Sequence, residues 1–216
     1  MNEFGNLLGG YRRFREHRYE SEKARWRELA EGQSPRAIII ACSDSRVDPA
    51  TIFDADPGEI FVVRNVANLV PPFEGDGGRH GVSAALEFAI TQLGVTEVVV
   101  MGHERCGGIQ AALTGCFHDA PAGEGGFVAR WMDQIDEAAA KIAKESGTGI
   151  EAARILEEVA IRQSLANLRT FPFVTEREGD GRLQVLGCHF SISEGQLYLL
   201  DEVEDRFHPV ETVAAD

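Results

Sequence analysis

The sequence predicts an α/β fold: a central, mostly parallel four-stranded sheet with an antiparallel edge strand, flanked by helices. Three observations predict it. Short apolar runs rich in β-branched residues, at Ala37–Ala41, Glu59–Arg64 and Val95–Met101, alternate with stretches of helical periodicity. The first and third runs each pass into a polar turn, Cys42-Ser43-Asp44-Ser45-Arg46 and Gly102-His103-Glu104-Arg105-Cys106-Gly107-Gly108. Toward the C-terminus, Ser193-Glu194-Gly195 separates two more strand-like runs, Leu183–Gly187 and Gln196–Val203, as a hairpin turn does, which makes the last strand antiparallel. Strands alternating with helices imply parallel neighbours joined by right-handed crossovers.

Taken in order, residues from about Asn6 to Gly32 read as a helical arm. Its apolar points, Leu7, Tyr11, Phe14, Trp26 and Leu29, are too sparse for a core of their own, so the arm is expected to lie on another surface, either its own sheet or a neighbouring subunit. The chain is read as one domain over residues 1–216, with the arm at 1–33 and the α/β core at 34–216. After the first strand, Asp48 is placed to cap a short helix with Pro49 at its first position. Asp56-Pro57-Gly58 is a turn into the second strand. Leu69–Gly78, rich in Pro and Gly, is a loop of functional length. From Gly81 a helix carries Val82, Ala85, Ala89 and Leu93 at helical spacing, and Gly94 closes it. The third strand and its turn lead into a helix at Ile109–Leu113. A surface loop over 115–126 precedes helices at Val128–Lys144 and Ile150–Leu168, the second with Ala152, Leu156 and Val159 on one face.

Bulk properties narrow the function. With 216 residues and 44% hydrophobic content the chain sustains a real core. A net charge of −14 argues against nucleic-acid binding and against anionic membrane surfaces. No run approaches the ~20 apolar residues of a membrane span, and no basic-then-apolar leader opens the sequence, so neither signal peptide nor anchor is expected. Four scattered cysteines, Cys42, Cys106, Cys116 and Cys188, are unlike a small disulfide framework and suit a cytoplasmic protein using thiols for metal or packing.

His103 and Cys106, three residues apart where a strand meets a turn, are able to aim an imidazole and a thiolate at one metal ion, and zinc is the natural guest for nitrogen and sulfur donors. Cys42 is the best third ligand: parallel strands side by side bring their carboxyl ends together, the usual ligand site of an open α/β sheet. Spacing alone also allows buried packing residues, or a cysteine nucleophile with His103 as its base. Asp44 and Arg46 read either as a loop ion pair of little worth or, so near Cys42, as working parts of the site. Cys116 and Cys188 are assigned to structure, and His80 and His118 to solvated loops.

At these residues the chain resembles the β-class carbonic anhydrases. The matching stretches are Cys42-Ser43-Asp44-Ser45-Arg46, Gly58-Glu59-Ile60-Phe61-Val62-Val63-Arg64-Asn65-Val66-Ala67-Asn68 and Gly102–Gly108, in that order and at the family's spacing, with a weaker echo at Ser164–Val174. The resemblance implies one zinc ion per subunit on Cys42, His103 and Cys106. It also implies that Asp44 either closes the zinc as a fourth ligand or is held off by Arg46, leaving the zinc open to water. The closed subtype needs a Trp where this chain has Ile39 and a Tyr where it has Phe190, so the open state is expected. Leu69-Val70-Pro71-Pro72-Phe73 resembles the plant-type branch. There Gln33, reaching from a neighbouring subunit, together with Phe61 and Val66, would line a narrow slot for a small linear molecule. Phe88 stands where that branch carries a pocket Tyr. Gly107 and Gly108 are expected to let backbone amides approach the site, with Asp44 accepting from one of them.

The implied activity is reversible hydration of carbon dioxide to bicarbonate and a proton, by attack of zinc-bound hydroxide that Asp44 orients. The implied assembly is a homodimer or higher homo-oligomer, with an N-terminal arm packed on a partner. Two rivals stay open: a hydrolase of carbon disulfide or carbonyl sulfide on the same site, and a non-catalytic, zinc-stabilised binding protein.

Overall fold

The computed structural model describes residues 3–76 and 78–211. The chain divides into two compact units, Met1–Ser34 and Pro35–Asp216. The N-terminal unit is helical, as three pieces: α1 (Glu3–Glu16), α2 (Arg18–Ser21) and α3 (Lys23–Glu31). Its aromatic residues find one another. Phe14 meets Trp26 edge-on with centroids 5.4 Å apart, and Tyr19 lies 6.3 Å from Phe14. Phe4, Leu7 and Tyr11 are exposed.

The second unit is built on a six-stranded sheet in the order β2-β1-β3-β4-β5-β6. The strands are β1 (Ala37–Cys42), β2 (Ile60–Asn65), β3 (Glu97–His103), β4 (Gln184–Ser191), β5 (Gln196–Asp201) and β6 (Arg206–Pro209). β2, β1, β3 and β4 are parallel, and β5 turns back antiparallel on β4 through the Ser193–Gly195 turn. The sheet then runs one strand beyond expectation. Asp201 Oδ1 accepts from the amides of Val203 and Glu204, and the resulting turn returns β6 against β5.

Alternation along the strands feeds two cores. Ile38, Ile40, Val98, Val100 and Val185 join Val82, Leu86, Ile90 and Val174 in one. Ile39, Ala41, Met101 and Cys188 join Ile109, Leu113, Met132, Ile135 and Leu156 in the other. With both faces covered, the parallel strands read in sequence as continuous apolar runs.

The helices follow from local signals with some adjustments. α4 (Pro49–Ile52) starts as expected: Asp48 Oδ2 accepts from Thr51 N at 3.1 Å. α5 (Gly81–Glu87) passes into a π-helical turn over Phe88–Gln92. That turn shifts the buried row to Val82, Leu86, Ala89 and Ile90, leaving Ala85 and Leu93 half-buried. After α6 (Gly107–Thr114), the single helix expected over Val128–Lys144 is α7 (Gly126–Met132), a 3-10 turn and α8 (Asp136–Ser146). Across that break Met132, Ile135, Ala139 and Ile142 keep one buried stripe. α9 (Ile150–Leu168) buries Ala152 and Leu156 as expected, with Ala160 and Ile161, while Val159 sits at the margin. α10 (Pro172–Gly179) was not expected, and it begins with Pro172 at its first position. Among the described residues no helix is long and apolar enough to cross a membrane.

Candidate metal centre

The strand order makes the site. The chain leaves β1 for β2 on one side and returns to β3 on the other, so a switch point opens at the carboxyl ends of β1 and β3. Ala41 pairs with Met101 at the end of the register, and the next residues emerge there. Cys42 ends β1, His103 ends β3, and Cys106 stands at the N-cap of α6. Their ligand atoms all lie within 4.8 Å of one another, and all three residues are buried.

This donor set fits zinc. Cys42 Sγ and Cys106 Sγ are 3.9 Å apart. Two Zn–S bonds of about 2.3 Å at a tetrahedral angle place sulfurs about 3.8 Å apart. His103 Nδ1 lies 2.9 Å from the Glu104 carbonyl, which accepts a hydrogen bond from the Nδ1–H tautomer and leaves Nε2 with a lone pair. Nε2 is buried with no hydrogen-bond partner among the described residues. A buried, unpartnered imidazole nitrogen facing two buried sulfurs is costly unless something binds it.

The electrostatics favour one anionic sulfur in the pair. Cys42 is lowered to about 4, first because Cys106 donates to its sulfur, with the amides of Asp44 and Ala67 helping against the cost of burial. Cys106, as the donor, is pushed up, even though the amides of Gly108 and Ile109 face its sulfur. His103 is raised: burial opposes its charge, and the neighbouring Cys42 sulfur outweighs it. A divalent cation replaces such shared protons when thiols and imidazole become ligands.

Asp44 stands apart from the cluster of ligand atoms. Arg46 donates to it three times, through Nε to Oδ1 at 2.9 Å, Nη2 to Oδ2 at 2.7 Å and the backbone N to Oδ1 at 3.0 Å. Those bonds hold the Asp44 carboxyl well below the usual carboxylate range despite partial burial.

Other expected residues are distributed as follows. Phe61 and Phe88 lie against each other with centroids 6.1 Å apart. Val66 is 37% exposed and Phe88 46% exposed. Gln33 belongs to the N-terminal unit and is exposed. Gly108 is where the backbone comes close: a Cβ there would meet Val66 Cγ1 at 2.7 Å. Gly107 has open space around it. The expectation that Asp44 accepts from one of these two glycines is corrected. Its backbone donor is Arg46, and the Gly108 amide serves Cys106 instead.

Sequence reasoning missed two residues. Arg64 ties down the whole turn after β1, donating to Cys42 O at 2.9 Å, Asp44 O at 2.6 Å and Val47 O at 3.3 Å, and it also contacts Asp48. Glu157 is buried on α9 and accepts from Cys106 N at 3.1 Å. Its signal was available, as a lone charge on a helix face otherwise made of Ala153, Leu156, Ala160 and Ile161.

Residues 37–197 match the family model described as carbonic anhydrase. A carbonic anhydrase of Pseudomonas aeruginosa is 38% identical over 205 residues, covering 94% of this chain and 90% of that one. The solved β-carbonic anhydrase CcaA superposes with a TM-score of 0.87 at 29% identity, covering 97% of this chain and 100% of that one. A tetrameric β-carbonic anhydrase of Sordaria macrospora gives 0.78 at 26% identity, covering 93% and 98%. Family model, relatives and fold agree with one another, and the chain belongs to the β-carbonic anhydrase family.

Proposed function

We propose that this protein hydrates carbon dioxide reversibly to bicarbonate and a proton, through the open form of the site. The observation that carries the proposal is the grip of Arg46 on both oxygens of Asp44, which commits that carboxylate away from the three-donor cluster. Cys42, His103 and Cys106 would hold one zinc ion per subunit. Zinc bound there supplies Lewis acidity that lets water act as a nucleophile near neutral pH.

The remaining work falls to the chain. Asp44, ionised and fixed, is an acceptor only. It takes a hydrogen bond from the incoming nucleophile and turns the nucleophile's lone pair toward carbon. Phe61, Val66 and Phe88 offer an apolar slot that suits an uncharged linear substrate and excludes water. Gln33 of a neighbouring subunit would complete the slot, as in the plant-type branch. Phe88 brings no hydroxyl to it. Ile39 and Phe190, in place of the Trp and Tyr of the closed subtype, support the open reading. Carbon dioxide gains the nucleophile's oxygen, bicarbonate leaves, and one proton passes to buffer.

We also propose a homodimer or larger assembly in the cytoplasm. β2 is an open sheet edge bearing the exposed Val62, and Val66 follows it, so the edge and the slot share one segment. The cysteines are free, as a reducing compartment keeps them.

The test is stopped-flow carbon dioxide hydration by zinc-quantified protein, from neutral to alkaline pH. Rapid turnover near neutrality that follows one titration supports the open site. Activity that appears only, and steeply, at alkaline pH means that Asp44 closes the zinc. No activity with zinc bound overturns the proposal, and the same protein is then assayed on carbon disulfide and carbonyl sulfide.

A further inference from the structure

A buried acid–base pair lies directly behind Cys106. Glu157 on α9 is 3% exposed, and His189 on β4 is fully buried. Glu157 Oε2 lies 3.0 Å from His189 Nε2, and Glu157 Oε1 accepts from the Cys106 amide at 3.1 Å. His189 is the β4 residue that pairs with Gly102, next to His103 in β3. Its Nδ1 is buried with no partner among the described residues.

Stability alone does not account for this pair. Removing a carboxylate from water is costly unless it is paired and hydrogen-bonded. Even then, apolar residues of similar volume often do as well or better. What the pair touches is more telling. The turn from His103 to Cys106 contains Arg105 at φ +54, a left-handed conformation that an arginine adopts only when its surroundings impose it. Contacts from three places impose it. Arg46 Nη2 donates to Arg105 O at 3.1 Å. Ser193 N, in the turn between β4 and β5, donates to Glu104 Oε2 at 2.8 Å. Glu157 holds the Cys106 amide, and of the three it alone grips a residue of the donor cluster. Fixing that N–H fixes the peptide plane before Cys106 and so helps to place the Cα–Cβ bond from which the sulfur hangs.

We infer that Glu157, itself oriented by His189, is a positioning residue that sets the Cys106 sulfur for the metal. The inference rests on the zinc reading above. Glu157 acts through the backbone and touches no substrate. The carboxylate–imidazole contact keeps the Glu157 side chain in one rotamer, and the backbone hydrogen bond passes that constraint on to the sulfur. Groups that orient metal ligands in this way typically alter metal affinity when removed, by about 10- to 100-fold.

The experiment compares the parent with E157M/H189L and E157Q. It uses zinc affinity by competition with a chromophoric chelator, the visible spectrum of the cobalt-substituted protein, and thermal melting. A parent that binds no zinc overturns the zinc reading itself, and the inference falls with it. With a zinc-binding parent, E157M/H189L is expected to fold and to melt somewhat lower than the parent, because the paired carboxylate and imidazole go together while the Cys106 N–H loses its acceptor. It is expected to bind zinc about 10- to 100-fold more weakly, with displaced thiolate-to-cobalt bands. E157Q keeps its size and an acceptor for the Cys106 amide but loses the charge. It is expected to shift those bands with a smaller loss of affinity. A folded E157M/H189L with parental affinity and spectrum overturns the inference. If that variant does not fold, E157Q decides: parental affinity with an unshifted spectrum overturns it, and a shifted spectrum supports it.

Discussion

Arg46 holds Asp44 by both carboxylate oxygens and, with the same Nη2, reaches the carbonyl of Arg105. One guanidinium therefore ties the turn after β1 to the turn after β3, the two turns that adjoin the Cys42–His103–Cys106 cluster. A lysine has neither the planar fork nor the second arm. Arg46→Lys is expected to retain zinc and to lower kcat/KM by about 10- to 100-fold, since small misplacements of a reacting group cost that much. Stopped-flow assays alongside zinc quantification check it, and an unimpaired variant would show the fork to be dispensable.

Asp44→Asn keeps the shape and loses the charge. Zinc is expected to stay bound while turnover drops by about 100-fold, the scale on which removing one well-placed polar group acts. Turnover near the parental rate would take Asp44 out of the mechanism.

The same substitution reads the acid side of stability. Arg46 lowers the folded-state pKa of Asp44 below its ordinary 3.8. A depressed carboxylate stabilises the fold fully above the unfolded value, and that contribution fades as pH falls from there toward the folded value. The stability gap between parent and Asp44→Asn, measured by urea denaturation, is expected to be constant from pH 7 to about pH 5 and to shrink below pH 4. A gap that widens on acidification would contradict the ion pair.

The two adjacent glycines differ in what an added methyl group meets. At Gly108 it strikes Val66 Cγ1 at 2.7 Å and Ala67 Cβ at 3.2 Å, while at Gly107 nothing lies within 4 Å. Gly108→Ala is expected to lose about 1–3 kcal/mol, as overpacking does. Gly107→Ala, in the first turn of α6, is expected to be neutral or slightly stabilising. Thermal melting of the pair settles the contrast, and equal effects would refute it.

Thiol chemistry should rank the cysteines. Cys116 is exposed, whereas Cys188 is fully buried and pushed up to about 12 by that burial. In zinc-loaded protein, iodoacetamide at pH 7 is expected to label Cys116 alone. After chelation, Cys42, lowered to about 4, should be the second to react, ahead of Cys106. Mass-spectrometric mapping reads the order, and early labelling of Cys188 would contradict it.

The parallel strands were legible because their residues are apolar on both faces, and the donor residues because each closes such a run with an abrupt polar turn. β6 was not legible: Phe207 is its only large apolar residue, too little for an alternation signal. α10 hides in Phe171-Pro172-Phe173-Val174, whose aromatic and β-branched residues resemble a strand until Pro172 is placed at a helix start. Glu157 escaped because it neighbours Glu158 in sequence, and two acidic residues together suggest a wet face. Only the helical phase separates the buried one from the other. Arg64 was hidden differently, because its partners are backbone carbonyls that carry no residue signature.

Cys42 and Cys106 are 64 positions apart in the chain, yet their sulfurs nearly touch. No hairpin joins β1 to β3, so the unfolded polypeptide must close a long loop before these strands meet. A covalent bridge over such a loop would restrict the unfolded chain by about 4 kcal/mol in the chain-entropy account. A metal ion held by Cys42, His103 and Cys106 would work as a removable staple of the same kind. Stripping it away would do more than silence a catalyst, because it would remove one tie across the carboxyl ends of two neighbouring strands.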